Sequence, residues 1–337
     1  MAGGSAATQG GVHVRLGREV HLVSRPRGRF PAAGDTRIVE VPVPEPGPGQ
    51  VVVRNLFMSI DPGLVLRTND LSRLDIPDFT PGEPMWSDAI GEVVESADER
   101  LGPGDIVWHR FGFRDYAVAQ AGEFRRVDPD AYPSLTHHLC FGLTAYVGTE
   151  VAQIRAGDTF FVSSAAGAVG SMAGQLARLR GATRVIGSAG TPEKVRYLKE
   201  RLGFDDAFDY HQDVRPRLPE LDVFYDNVGG AQLEAAIDAM RPRGRIVMGG
   251  RNEEIRTGVV QGPRNMMAVI GKRLELLGYY TFDHPELFPV FDERFPRWVR
   301  SGEIVVAETI VDGLENGVDA AVNLMHGAYV GKVVLRL

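Results

Sequence analysis

Cysteine is nearly missing from this chain. Cys140 is the only one in 337 residues, so neither an intrachain disulfide nor a cysteine-built zinc site can form. It lies in Leu139-Cys140-Phe141-Gly142-Leu143, the apolar setting of a structural thiol; a nucleophilic one needs an electropositive, partly open surrounding. No apolar run approaches the ~18–20 residues of a membrane span. The small, polar start from Met1 to Gly11 has neither the basic nor the apolar stretch of a secretory signal. We therefore expect a disordered tail over 1–12 and a cytoplasmic protein with no membrane partner. A basic excess is absent as well: 37 lysines and arginines stand against 44 aspartates and glutamates, a net charge of −7, which argues against a nucleic-acid partner. The cluster Arg241, Arg243 and Arg245 has acidic neighbours along the chain and reads as a solvated face. The eight histidines show no metal or triad spacing, and the expected metal content is none.

What is there divides in two, as a chain too long for one ordinary core should. Residues from about 12 to 130 read as short strands between Gly/Pro turns, with Val51–Val53, Ala89–Val94 and Asp105–Trp108 as examples; the pattern suggests a small barrel-like β domain. The texture changes near residue 136. Strand-like Thr159–Ser163, Arg184–Gly187, Asp222–Tyr225 and Arg245–Met248 alternate with helix-like Ser171–Arg180, Pro192–Leu202 and Ala231–Met240, the rhythm of a doubly wound parallel sheet. The end of the chain reads as helices over Leu287–Arg300 and Leu314–His326 and a strand over Lys332–Leu337.

The chemistry-bearing motif follows the apolar strand Phe160-Phe161-Val162. It reads Ala165-Ala166-Gly167-Ala168-Val169-Gly170, with Gly174 further along an amphipathic helix. This is a G-x-G-x-x-G loop whose first glycine is alanine. Small residues let the backbone approach a pyrophosphate, the helix N-terminus offers free N–H groups, and Gly170 and Gly174 let the helix sit close to the sheet. Because strand and helix flank it as the motif demands, it predicts a dinucleotide site. An NAD site carries an Asp or Glu at the end of the second strand. Here that stretch is Ile186-Gly187-Ser188-Ala189-Gly190, with Lys194 at the start of the next helix. A hydroxyl and a lysine accept a 2′-phosphate that a carboxylate would repel, so the expected cofactor is NADPH.

Beyond the loop the residues match a family. The stretch from Val162 to Val195 resembles the prostaglandin reductase/alkenal double-bond reductase branch of the medium-chain dehydrogenase/reductase superfamily, which is zinc-independent. Asn55-Leu-Phe-Met-Ser-Ile-Asp-Pro62, Gly142-Leu-Thr-Ala-Tyr146, Tyr225-Asp-Asn-Val-Gly-Gly230, Gly262-Pro-Arg-Asn265 and Glu308–Asn316 look like further branch signatures. The resemblance runs from about residue 13 to the C-terminus. It implies an α/β chain with a GroES-like β-rich catalytic domain (13–135), a Rossmann NADPH-binding domain (136–285) and a C-terminal segment (286–337) returning to the catalytic domain. It implies NADPH held by Thr144, Gly167, Ala168, Val169, Gly170, Ser171, Ser188, Lys194, Tyr210, Asn227, Gly249, Tyr279, Tyr280 and Tyr329. It also implies hydride transfer to the β-carbon of an α,β-unsaturated aldehyde or ketone, and a homodimer. Zinc-dependent relatives carry G-H-E where this chain has Met85-Trp86-Ser87-Asp88-Ala89-Ile90-Gly91-Glu92.

The substrate side departs from that pattern. The branch segment D-P-Y-M-R is here Asp61-Pro62-Gly63-Leu64-Val65; the A-I-S-x-Y tyrosine is lost in Arg251-Asn252-Glu253-Glu254-Ile255; another tyrosine position reads Gly271; the N-x-G-K asparagine is Tyr329. Met58, Gly63, Trp86, Arg251 and Ile255 are the expected pocket residues, with Arg251 a candidate for a polar or carboxylated substrate group or else part of a solvated loop. Reduction of a conjugated carbonyl needs donors at the carbonyl oxygen, and a proton for the α-carbon. Tyr279 and Tyr280 are the candidate donors, with Tyr329 a third, the other reading being strand tyrosines packed at a dimer edge. A quinone reductase on the same scaffold and an NADPH-binding protein with little turnover are the alternatives.

Overall fold

The structure, a computed structural model, describes residues 14–32, 34–69, 76–260 and 262–337; the tail expected over 1–12 lies outside them. The N-terminal part is β-rich. It runs β1 (Leu16–Leu22), β2 (Thr36–Pro42), β3 (Gln50–Ile60), the short helix α1 (Gly63–Thr68), β4 (Ala89–Ser96), β5 (Ile106–His109), β6 (Tyr116–Gln120) and β7 (Arg125–Arg126). Strand β3 is buried on both faces at either end, at Val51, Val52 and Val53 and again at Met58, Ser59 and Ile60, with Arg54 exposed between.

The rhythm then becomes helix–strand. Helix α2 (Gly142–Val151) leads to β8 (Thr159–Val162), α3 (Ala168–Leu179), β9 (Arg184–Ala189), α4 (Pro192–Glu200), β10 (Asp206–Asp209), β11 (Leu221–Asp226), α5 (Gly230–Ala239) and β12 (Met240–Met248). Then come α6 (Asn252–Thr257), α7 (Met266–Lys272) and β13 (Glu275–Gly278). These strands form one parallel sheet in the order β10-β9-β8-β11-β12-β13, the dinucleotide-binding order that reverses between its first and fourth strands. All four residues of β8 are buried, as a strand covered by helices on both faces must be. Phe161 of β8 stacks on Phe224 of β11 with ring centroids 4.8 Å apart.

Within the C-terminal segment, α8 (Phe288–Ser301) lays Phe291, Phe295 and Val299 into the core beside Tyr146 of α2. Strand β14 (Glu308–Asp312), helix α9 (Gly317–Met325) and β15 (Lys332–Arg336) follow. The last strand pairs antiparallel with β3, placing Val334 opposite Ser59 and Val333 opposite Ile60. A seven-stranded sheet results, in the order β14-β15-β3-β4-β5-β7 with β6 on β3.

The arginine cluster at 241–245 is not one solvated face. Arg241 pairs with Asp222 and Glu220 at the surface, but Arg245 is buried, bonding Asp158 at 2.7 Å and the Ala152 carbonyl at 3.0 Å. Its position on β12 explains the difference: a cation inside must be paired, and Asp158 at the entrance to β8 pairs it.

Candidate active site

The C-terminal ends of β8 and β11 meet where the strand order reverses, and the loop from Ser163 to Gly170 is built there. Ser163 is fully buried and links the two ends. Its hydroxyl donates to Asp226 Oδ1 at 2.9 Å and accepts from the Asn227 N–H at 2.8 Å, and its carbonyl accepts from Asn227 Nδ2 at 2.9 Å. Asp226 Oδ1 also accepts the N–H groups of Val228 and Gly229, each at 2.9 Å. Burial raises the Asp226 carboxyl above its ordinary range against those bonds. Neither Ser163 nor Asp226 was singled out from the sequence, although Asp226 sits inside Tyr225-Asp-Asn-Val-Gly-Gly230; a buried hydrogen-bonding post has no periodicity to betray it.

Helix α3 begins at this loop, with Gly167 as its N-cap. The turn closes from the Ser171 N–H to the Gly167 carbonyl at 3.0 Å, so the N–H groups of Ala168, Val169 and Gly170 precede the helix's own bonding. A Cβ on Gly170 would stand 2.3 Å from the Ser164 carbonyl oxygen, and one on Gly174 2.1 Å from the Phe204 ring. Both glycines are there for close approach, as the motif predicts. Ser171 itself is buried and bonds its own helix through the Ala168 carbonyl at 3.3 Å.

Lys194 sits in the first turn of α4, capped by Thr191 and opened by Pro192. Its ammonium donates to the Gly327 carbonyl at 2.7 Å, and burial lowers its pKa. Tyr210, partly exposed, lies against Gly190, and Arg256 of α6 acts on it electrostatically. The expected Ser188 hydroxyl is not on this open side. It is fully buried and donates to Gln232 Oε1 of α5 at 2.5 Å, because the side chain of a strand residue at that register points under the neighbouring helix. Gly249 is close-packed on the Tyr225 ring and Asn227 Oδ1.

The two tyrosines after β13 part company. Tyr279 turns inward, donating to the Thr144 carbonyl at 3.1 Å and sharing a hydrogen bond with the buried Tyr225 hydroxyl; burial pushes its phenol up to about 12. Its hydroxyl is therefore engaged on the inner side of the sheet. Tyr280 is half-buried and meets Phe282 edge-on at 5.6 Å. Phe282 in turn lies under the Arg110 guanidinium at 5.5 Å, and Arg110 reaches Asp88 at 3.9 Å. This file of contacts joins the parallel sheet to the β-rich side. Thr144 bonds Thr281 through their hydroxyls at 3.4 Å.

Of the expected pocket residues, Met58 is fully buried and accepts the Phe113 N–H on its sulfur at 3.1 Å, behind the wall rather than in it. Gly63 follows Asp61, whose Oδ1 lies 2.8 Å from where a Gly63 Cβ would be. Trp86 is half-buried, edge-on to Phe79 and capped by the Arg67 guanidinium at 4.1 Å. Helix α6 spans the two halves: Ile255 packs against the β-rich core, whereas Arg251 lies over Gly229 and bonds Glu254 through Nε at 3.0 Å. Tyr329 also packs against the β-rich core. The Cys140 thiol, in its apolar setting, is pushed up to about 11 by burial, the state of an unreactive thiol. Among the described residues no group of three or more His, Cys, Asp or Glu has an arrangement that would hold a metal ion, and no helix is long and apolar enough to cross a membrane.

This architecture is that of a two-part dehydrogenase, and sequence comparison agrees. Residues 18–127 match the family described as the N-terminal domain of oxidoreductase, and residues 168–295 the family described as zinc-binding dehydrogenase. The chain is 34% identical over 322 residues to the NADP(+)-dependent 2-alkenal reductase of Nicotiana tabacum, covering 91% of this chain and 93% of that protein. It is 33% identical to the (+)-pulegone reductase of Mentha piperita, over 89% and 91% of the two chains. Among solved structures, CurA from Vibrio vulnificus superimposes with a TM-score of 0.86 at 30% identity, over 95% of this chain and 98% of that one, and CurA has also been solved with NADPH. The chain belongs to the zinc-independent alkenal/prostaglandin reductase branch of the medium-chain dehydrogenase/reductase superfamily.

Proposed function

We propose that this protein reduces the carbon–carbon double bond of an α,β-unsaturated ketone or aldehyde, with NADPH as the hydride source. The observation that carries the reading is a dinucleotide loop at the point where the strand order reverses, in a chain 34% identical to a 2-alkenal reductase. NADPH is the cofactor: the tobacco relative is NADP(+)-dependent, and CurA has been solved in complex with NADPH. The residues present fit it. The N–H groups of Ala168, Val169 and Gly170 suit the pyrophosphate, and Lys194 and Tyr210 suit the 2′-phosphate. Asn227, Gly249, Thr144, Tyr280 and Tyr329 would flank the nicotinamide end. When bound, the cofactor supplies a hydride to the β-carbon.

The chain's own part is to orient the enone, exclude water and deliver a proton. Aromatic Trp86, Tyr280 and Phe282 offer apolar faces for a conjugated carbonyl, and Tyr280, whose ring meets Phe282, offers a hydroxyl donor. Tyr279 serves instead to fix Thr144 and Tyr225. We further propose the domain division at about 135/136 and 285/286, a cytoplasmic location, and a homodimer. The test is NADPH oxidation followed by absorbance across a panel of enones, enals and quinones, with the products identified by NMR. Saturated ketones or aldehydes support the reading; turnover of quinones alone would make the protein a quinone reductase, and tight NADPH binding without turnover a binding protein.

A further inference from the structure

Lys332 is 2% exposed, at the first position of β15. Its ammonium donates to Ser59 Oγ at 2.7 Å and to the Ile60 carbonyl at 2.6 Å, and stands 4.5 Å from the Phe141 ring centroid. A buried ammonium is costly and is retained where it has a partner or a task. Among the described residues no direct ion pair satisfies this one. The charged or titratable groups facing it are Asp61 at the end of β3, Asp88 at the entrance to β4, and Cys140 before α2. Ser59, itself 2% exposed, passes the contact on: its hydroxyl accepts from Lys332 and donates to Asp61 Oδ2 at 3.4 Å. Asp61 borders Gly63, and Asp88 approaches Arg110, which reaches Phe282 and through it Tyr280.

The residue before Lys332 touches the cofactor loop. The N–H of Gly331 donates to the Ala166 carbonyl at 2.7 Å, and Gly331 bridges Gly167 in parallel. One dipeptide thus fastens the pyrophosphate loop to the end of β3.

We propose that Lys332, Ser59 and Asp61 form a proton line into the cleft, Lys332 its buried reservoir and Asp61 its cleft-side end. The inference rests on the enone-reductase reading above. Hydride addition forms a C–H bond at the β-carbon and breaks the C=C π bond, leaving the electron pair as an enolate; the nicotinamide is oxidised and the enone reduced. Asp61 gives a proton to the α-carbon, having taken it through the Ser59 hydroxyl from the Lys332 ammonium. The neutral amine left behind is reprotonated from water when product leaves. Burial is consistent with such a reservoir, since it lowers the Lys332 pKa to about 8 against the pull of Asp61 and Asp88, close to working pH as a proton donor should be. Lys332 and Ser59 act through Asp61 and are positioning residues.

The test compares the wild-type chain with Ser59→Ala and Lys332→Met, using 3-penten-2-one and NADPH. Wild-type kcat should fall above about pH 8 as the reservoir deprotonates. Both variants should lose that limb and drop roughly 10- to 100-fold at pH 7, while NADPH affinity from fluorescence titration stays within about twofold, because neither side chain touches the loop that holds pyrophosphate. A second readout needs no turnover. A lysine whose folded pKa is depressed disfavours the fold below that value, so wild-type stability should rise relative to Lys332→Met between about pH 8 and 10.5. Retention of kcat and of the alkaline limb in both variants would overturn the line. So would an NADPH affinity that falls in step with kcat, which would make Lys332 a mere tie, or a stability difference flat with pH. A wild-type chain that oxidises no NADPH with any enone would remove the enone reading itself, a failure distinct from these.

Discussion

The two halves of the site are made in different ways. The cofactor half consists mainly of backbone: free N–H groups at the start of α3, glycines that let α3 sit on the sheet, and the Ser163–Asp226–Asn227 post that holds the ends of β8 and β11 together. The proposed substrate half consists of side chains from separated elements. Tyr280, Phe282, Arg110 and the Asp61–Asp88 pair meet only where the β-rich sheet and the loop after β13 come together. A backbone site tolerates little change because any added atom collides. A side-chain site can be rebuilt residue by residue, and the departures from the family pattern at Gly63, Arg251 and Tyr329 fall in that half or at its border, while the one at Gly271 lies on α7.

If that contrast holds, the largest effect belongs to the loop. Gly170→Ala places a Cβ 2.3 Å from the Ser164 carbonyl oxygen, and NADPH affinity by fluorescence titration should fall on the order of 100-fold or more, since one ångström of displacement spoils a backbone cradle. Lys194→Ala comes next. NADPH binding should weaken roughly 10- to 100-fold, the size of one charge-assisted bond, with NADH binding unmoved; an unchanged NADPH preference would take the 2′-phosphate away from Lys194.

On the β-rich side a pH effect on the fold is expected. His109 is wholly buried, its Nδ1 accepts the Phe111 N–H at 3.0 Å, and burial lowers its pKa to about 3. An imidazole kept neutral in the fold but protonated in the unfolded chain adds stability above pH 6.5 that is lost as pH falls from 6.5 towards 3, at up to about 1.4 kcal/mol per unit. Denaturant titrations of wild type and His109→Gln should diverge in that window and run parallel above it. Tyr279→Phe should cost about 1 kcal/mol of stability for the lost hydrogen bond and leave kcat within about threefold, since its hydroxyl faces Thr144 and Tyr225; a kcat collapse would return it to the reaction centre. Smallest of all, Arg251→Ala should move KM by no more than about twofold, because its guanidinium is held over Gly229 beside Glu254 and such partly exposed pairs are worth little. A KM rise confined to carboxylated enones would restore Arg251 as a substrate contact.

The same contrast explains what could be read from the residues alone. The parallel sheet was legible because its signals are local: Phe160–Val162 followed by a small-residue loop and an amphipathic helix admits few other structures, and the absence of a carboxylate after β9 needs no three-dimensional knowledge. Lys194 was legible for the same reason, being the N3 residue of a helix announced by Thr191-Pro192. Ser188 misled because its sequence position does not reveal that its hydroxyl points at Gln232, 44 residues away. Arg245 misled similarly, its partner Asp158 lying on another element. The β-rich half gave its turns and strands but not its chemistry. Lys332 and Ser59 are 273 residues apart and carry no shared motif, and Tyr279 and Tyr280 differ only in which face of one strand end they take.

The central claim is that the protein spends NADPH on a conjugated double bond, and product analysis tests it most directly. With deuterium carried on C4 of the reduced nicotinamide and 3-penten-2-one as substrate, NMR should show 2-pentanone bearing the label at its β-carbon. Label on the carbonyl carbon of an allylic alcohol, or NADPH oxidised by quinones with the enone recovered intact, would contradict the account.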